Sequence, residues 1–98
     1  VNEFQCIAVF AEREAIRYTP AGIPILAAKL QHSSQQVEAG ISRLVEFEIS
    51  AIAAGEISAR LDREELGKTL RFTGFLARKN RNSRSLVFHI TDFENTHF

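Results

Sequence analysis

The chain has 98 residues, 45% of them hydrophobic, which suits one domain with a small core, of a size that often gains from oligomerisation. Its formal net charge is zero, so whole-molecule attraction to a polyanion is excluded as a driving force. Its one cysteine, Cys6, excludes an internal disulfide and a multi-cysteine zinc site and fits a reducing compartment. No run is apolar and long enough to span a membrane, and no signal-peptide pattern precedes the first element. The expectation is a soluble cytoplasmic protein, with Val1 in place of methionine pointing to a trimmed N-terminus.

EFQCIAVF, residues 3–10, alternates with apolar residues on both faces: Phe4, Cys6, Ala8 and Phe10 on one, Ile7 and Val9 on the other. This predicts a strand covered on both sides, by a core and by a partner subunit. AERE, residues 11–14, breaks the pattern and AIRYT, 15–19, resumes it, so the first strand is expected to be long and bent, with a bulge near residues 12–14. In TPAG, Pro20 presets φ and Gly22 supplies positive φ for a hairpin turn. IPILAAKLQH, 23–32, is the second strand, with Leu26, Ala28 and Leu30 inward and Pro24 placing its start at an edge or end. SSQQVEAG, 33–40, is polar, ends in glycine and reads as a loop. ISRLVEFEIS, 41–50, is the third strand, with Val45, Phe47 and Ile49 inward and Glu46 and Glu48 outward. AIAAG fits either a strand or a helix. EISARLDREELG, 56–67, has helical spacing at Ile57, Leu61 and Leu66, with Gly67 as a C-cap and Glu64 and Glu65 on its solvated face. TLRFTGFLA, 69–77, and SLVFHITDF, 85–93, are the fourth and fifth strands, separated by the basic loop RKNRNSR, 78–84, and followed by a short tail, ENTHF. The order β-β-β-α-β-β with a bent first strand predicts a mainly β OB-fold: one five-stranded Greek-key barrel over residues 1–98, with a short helix between strands three and four.

Charge is segregated along this neutral chain. Residues 38–65 carry seven acids against three bases, whereas residues 67–91 carry six bases and no acid. Arg78, Lys79, Arg81 and Arg84 fall within seven residues of one hairpin connection. In an OB-fold the oligonucleotide face is that of strands two and three, closed by the loops joining strands one–two and four–five. The basic loop is the second of these. The first is RYTPAG, which brings Arg17 and Tyr18, a cation for a phosphate beside a ring that can stack a base. Lys29, outward on strand two, completes the candidate DNA-binding set of Arg17, Tyr18, Lys29, Arg78, Lys79, Arg81 and Arg84. Glu46 and Glu48 lie on the same outward face and repel phosphate. That leaves three readings: the groove avoids them, DNA binding is weak, or the face docks a protein. An OB-fold protein–protein adaptor with incidental DNA binding is therefore the alternative.

Nothing in the sequence calls for catalysis or a cofactor. His32, His89 and His97 lack metal-ligand spacing among themselves or with Cys6. His89 reads as a hydrogen-bonded strand histidine, Ser33 and Ser34 as loop-capping serines and Cys6 as a core thiol. Phe47, Phe72 and Phe88 have the alternation of core residues.

RYTPAGIP resembles the segment after the first strand of bacterial single-stranded DNA-binding proteins and of their short relatives, the primosomal replication protein N (PriB) family. LQHSSQQVEAG, LVEFEISAIAAG and GFLARKN resemble that shorter family over nearly the whole chain, from about Val1 to Phe93. The resemblance implies a homodimer of OB-folds that binds single-stranded DNA, joins and stimulates the restart helicase PriA and helps recruit further primosome proteins. The sequence ends at ENTHF without the long tail and acidic tip of a standard single-stranded DNA-binding protein, which favours the shorter family as the expectation. The resemblance matches Arg17 to a DNA-contacting basic position and, by region, Arg78, Lys79, Arg81 and Arg84 to a lysine-rich loop. A DNA-stacking tryptophan of the family falls at Glu46 and an aromatic residue at Ile41, so the resemblance implies capture by charge with limited stacking at those two positions.

Overall fold

The computed structural model describes residues 1–96; His97 and Phe98, and with them the reading of His97 as a non-ligand, lie outside the described residues. Six strands and one helix follow in the order β1 (Phe4–Arg13), β2 (Arg17–Tyr18), β3 (Pro24–Glu38), β4 (Ile41–Ala54), α1 (Glu56–Asp62), β5 (Thr69–Arg78) and β6 (Leu86–Asn95). The sheet runs β1-β5-β6-β4-β3-β2, and a further β1–β3 pairing closes five of these strands into a barrel. All pairs are antiparallel except β4–β6, where Ala51, Ile52 and Ala53 run parallel to Phe88, His89 and Ile90. This is the Greek-key closure of the OB-fold.

Side-chain alternation builds the core. Phe10, Leu26, Leu30, Leu70, Phe72 and Phe88 point inward and are fully buried, each burial contributing roughly 1.5–3 kcal/mol. Ile57 and Leu61 of α1 join the same core cluster, so the helix packs its apolar side against the barrel. Phe47 lies at the margin of that cluster, under the His32 ring at 4.8 Å. The bend in the first strand is real: the β1–β3 register slips between Phe10 and Glu12, and the chain leaves the sheet after Arg13 before pairing again as β2. The following hairpin closes as the sequence predicts. Gly22 N–H donates to Thr19 O at 2.8 Å, and Gly22 takes φ +84°.

Four segments depart from the sequence reading or resolve what it left open. Residues 33–38 are strand, not loop: β3 continues to Glu38 and pairs with β4 down to Glu38↔Ile41, forming a two-stranded arm. Its tip is the two-residue turn Ala39–Gly40, both at positive φ (+53° and +77°), the mirror-image turn that matches strand twist. The stretch reads as a loop because the arm extends past the core, where polar residues suit both faces. Its pairing is held by cross-strand partners such as Arg43 Nη1 to Glu38 Oε1 at 2.6 Å. The second is AIAAG, left open by the sequence, which is strand through Ala54, with Ala51 and Ala53 buried against the core. The third is α1, which stops at Asp62. Gly67 does not cap it but donates its N–H to Phe10 O at 2.8 Å, Leu66 is exposed, and Glu64 and Glu65 lie beyond the helix. The first residues of ENTHF also belong to β6, through Asn95.

Candidate nucleic-acid interface

A groove of about 920 Å³ lies on the outer face where β3 and β4 leave the barrel. Its floor is residues 27–29 of β3 and 50–52 of β4. One wall is the β1–β2 segment with Glu12, Glu14 and Arg17, and the other is formed by the end of β5, the β5–β6 connection and the start of β6, with Arg78, Lys79 and Leu86, while His89 of β6 extends the floor beside Ile52. The Greek key thus brings two connections, far apart in sequence, across one groove, as an OB-fold interface requires.

Four of the seven sequence-predicted residues line this groove: Arg17, Lys29, Arg78 and Lys79. Tyr18, paired opposite Pro24, is exposed and lies outside the lining, as do Arg81 and Arg84 at the tip of the basic connection. That connection is compact. Lys79 N–H donates to Ser85 O at 2.9 Å across its base, and the Asn80 and Ser83 side chains each accept a backbone N–H two residues on, both at 3.0 Å. Its four cations are exposed. Arg17, Arg78, Lys79, Arg81 and Arg84 make no ion pair among the described residues.

Lys29 differs. Its Nζ stands 3.9 Å from Glu12 Oε2 and 3.7 Å from Glu48 Oε1, so its charge is already shared between two carboxylates. Arg13 also lines the groove, but it is turned to Asp62 at 3.7 Å and donates to the Glu64 carbonyl. The groove itself runs past the base of the arm and leaves out Glu46, which lies farther along β4 opposite Ser33. Of the two carboxylates expected on the outer face, only Glu48 reaches the groove, through its pair with Lys29.

Sequence reasoning missed Glu12 and Glu14, which the strand break turns into the groove, and the aromatic pair Phe75–His89. Those two rings stack with centroids 4.7 Å apart and planes 9° from parallel. His89 was expected to be held by a hydrogen bond; among the described residues none holds it, and its orientation comes from this stack. A period-2 pairing of two strand positions would have found it only with the β5–β6 register known.

The arrangement gathers cations. Among the described residues no three His, Cys, Asp or Glu side chains gather as a metal site. Cys6 and His32 do approach to 3.2 Å, but His32 Nδ1 lies 2.6 Å from the Ile7 carbonyl, which only accepts. Nδ1 therefore carries a proton and cannot take one from the thiol. Burial also pushes the Cys6 pKa up, which keeps the thiol protonated and inert. Nε2 pairs with the Ser34 hydroxyl at 2.7 Å, so that serine holds the ring of a histidine two residues back on the same strand rather than capping a loop. No described helix is long and apolar enough to cross a membrane.

A family model described as another single-strand binding protein family matches residues 2–92. The replication restart protein PriB of Nitrosomonas europaea is 50% identical over 76 residues, covering 78% of this chain and 70% of that one. The solved structure of the PriB protein of Ralstonia solanacearum is 46% identical, covers 99% of both chains and superposes with a TM-score of 0.92. The SSB domain of a Synechococcus protein, only 16% identical, covers 97% of this chain and 96% of its own and shares the fold with a TM-score of 0.73. The chain belongs to the replication restart protein PriB family, whose barrel is that of the single-strand binding proteins.

Proposed function

We propose that this chain is a non-enzymatic accessory protein of the cytoplasmic replication-restart machinery, one that binds single-stranded DNA and docks to the restart helicase PriA and other primosome proteins as a homodimer. The observation that carries the DNA reading is the groove with Arg17 on one wall and Arg78 and Lys79 on the other, none of them spent on an internal ion pair. A polynucleotide laid across the floor meets a cation at each side, with Arg81 and Arg84 beyond the rim. Affinity then comes chiefly from released counterions, and it is sensitive to salt. The relatives named as replication restart proteins supply the setting.

The test is a titration of fluorescent single-stranded DNA at several salt concentrations, with and without the helicase. If Arg78, Lys79, Arg81 and Arg84 each neutralise a phosphate, log affinity falls against log salt with a slope of about −3 per protomer. Replacing all four with alanine flattens that slope and weakens binding; undiminished binding by that variant would rule out this site.

A second reading has its own observation. Val37, Ile41 and Leu44 are exposed on an arm that also carries Glu46 and Glu48, a surface better suited to protein than to phosphate. On that reading the chain is an adaptor, and the helicase binds it equally well with and without DNA and with the four loop cations removed.

A further inference from the structure

We propose that His89, backed by Phe75, is a base-stacking surface inside this groove, taking a nucleobase of single-stranded nucleic acid. The inference rests on the reading of the groove as a single-strand site and names the part of the ligand that its apolar portion takes.

The two rings meet because of a bulge. Along β5–β6 the register runs Thr73↔Asp92 and then Gly74↔Ile90, which leaves Thr91 unpaired. Had the register run on unbroken from Thr73↔Asp92, Phe75 would oppose Ile90. With the bulge, Phe75 opposes His89, while Phe88, Ile90 and Phe93 all stay buried. The bulge thus re-aims an outer-face pair without disturbing the inner face. Gly74 makes the close approach possible, since a Cβ there would lie 1.8 Å from the His89 carbonyl oxygen.

The surroundings are those a base needs. His89 runs in parallel register with Ile52, and Ile52 opposes Ala27, so the outer face reads Phe75, His89, Ile52, Ala27 across four strands, with no Asp, Glu, Lys or Arg in the row. His89, Ile52 and Ala27 line the groove, and Phe75 stands behind the histidine. One ring face is covered by Phe75, which holds the imidazole in place before any ligand arrives and lowers the entropy cost of stacking on it. Among the described residues no hydrogen bond restrains the ring. The unpaired cations Arg78, Lys79 and Arg17 line the same groove, so a flat apolar surface lies between two places for phosphate. Stacking of this kind accepts any base, because every base has a π-face.

Two oligonucleotides of equal length separate the roles: oligo-dT, and an abasic strand with the same phosphates. Anisotropy titrations of the full chain are expected to show about a tenfold preference for oligo-dT, the range of one stacked base. His89→Leu and Phe75→Leu each bring that preference close to unity and leave the salt slope unchanged, whereas His89→Phe keeps it. A preference that survives both leucine variants places stacking elsewhere and overturns the inference, as does a wild-type protein that binds both strands equally; in either case single-strand binding itself stands. A wild-type protein that binds neither strand removes the underlying reading as well.

Discussion

Lys29 is held between Glu12 and Glu48, and this decides what it can offer a phosphate. Both pairs are half exposed, so each is worth no more than about 1 kcal/mol. Glu48→Gln removes one competitor without changing the backbone pairing to Gln31. We expect it to tighten single-stranded DNA binding up to about fivefold and to steepen the salt slope by about 0.7, as Lys29 gains a phosphate contact; an unchanged slope in the titration would place Lys29 outside the site. Arg17, Arg78 and Lys79 were legible in the sequence because a cation beside a hairpin turn is visible as such. The pairing of Lys29 was not, since Glu12 reaches it only through the strand irregularity and Glu48 only through the β3–β4 register. Ala39 carries a different prediction. It adopts φ +53° at the arm's tip, a conformation costly to a residue with a Cβ and better tolerated by asparagine. Ala39→Asn is expected to stabilise the arm by about 1 kcal/mol, seen as roughly fivefold slower amide exchange in residues 33–47.

At the scale of elements, alternation identified the strands of the barrel because one face of each is buried, and failed where that condition lapses. The arm beyond His32 has little core to face, so its pattern carries no period; only pairing with β4 makes it a strand. The helix was overextended because Leu66 continues a spacing that the structure does not use, the chain having turned after Asp62 to bring Gly67 against Phe10. The β6 bulge was invisible for a related reason: Asp92 and Thr91 are both exposed, and one extra residue in a strand leaves no mark in composition. Gly74 tests how tightly β5 and β6 meet there. A methyl group at this position strikes the His89 carbonyl and Phe88 Cε1, at 1.8 and 2.9 Å, and backbone cannot step aside without losing the ladder. Gly74→Ala should cost on the order of 3 kcal/mol or more, with loss of the Phe75–His89 register. A thermal melt equal to that of the wild type would show that the two strands can part without cost.

For the whole molecule, the order of elements was enough to foresee the barrel and the two connections that face each other across the groove, because few topologies close five strands with one helix between the third and fourth. What a single chain leaves open is the outer side of its first strand. β1 pairs with β5 from Phe4 to Val9 but meets β3 only from Val9 onward, so residues 4–8 have one edge without a strand partner among the described residues. On that side His32 takes the Ile7 carbonyl, and the Ile7 side chain is 44% exposed beside half-buried Val9. An unprotected edge next to an apolar face favours pairing with another strand, and the second copy of β1 is the partner our functional reading implies. The wild-type chain should then scatter light as a species of twice the chain mass at micromolar concentration. Ile7→Glu places a carboxylate where the two copies would meet and should yield monomers with an unchanged circular dichroism spectrum. Each monomer keeps its groove, so binding to a short oligonucleotide should persist, while a strand long enough to cross two grooves loses the gain from their linkage. A wild-type protein that stays monomeric across the micromolar range would refute the dimer and leave the groove to act alone.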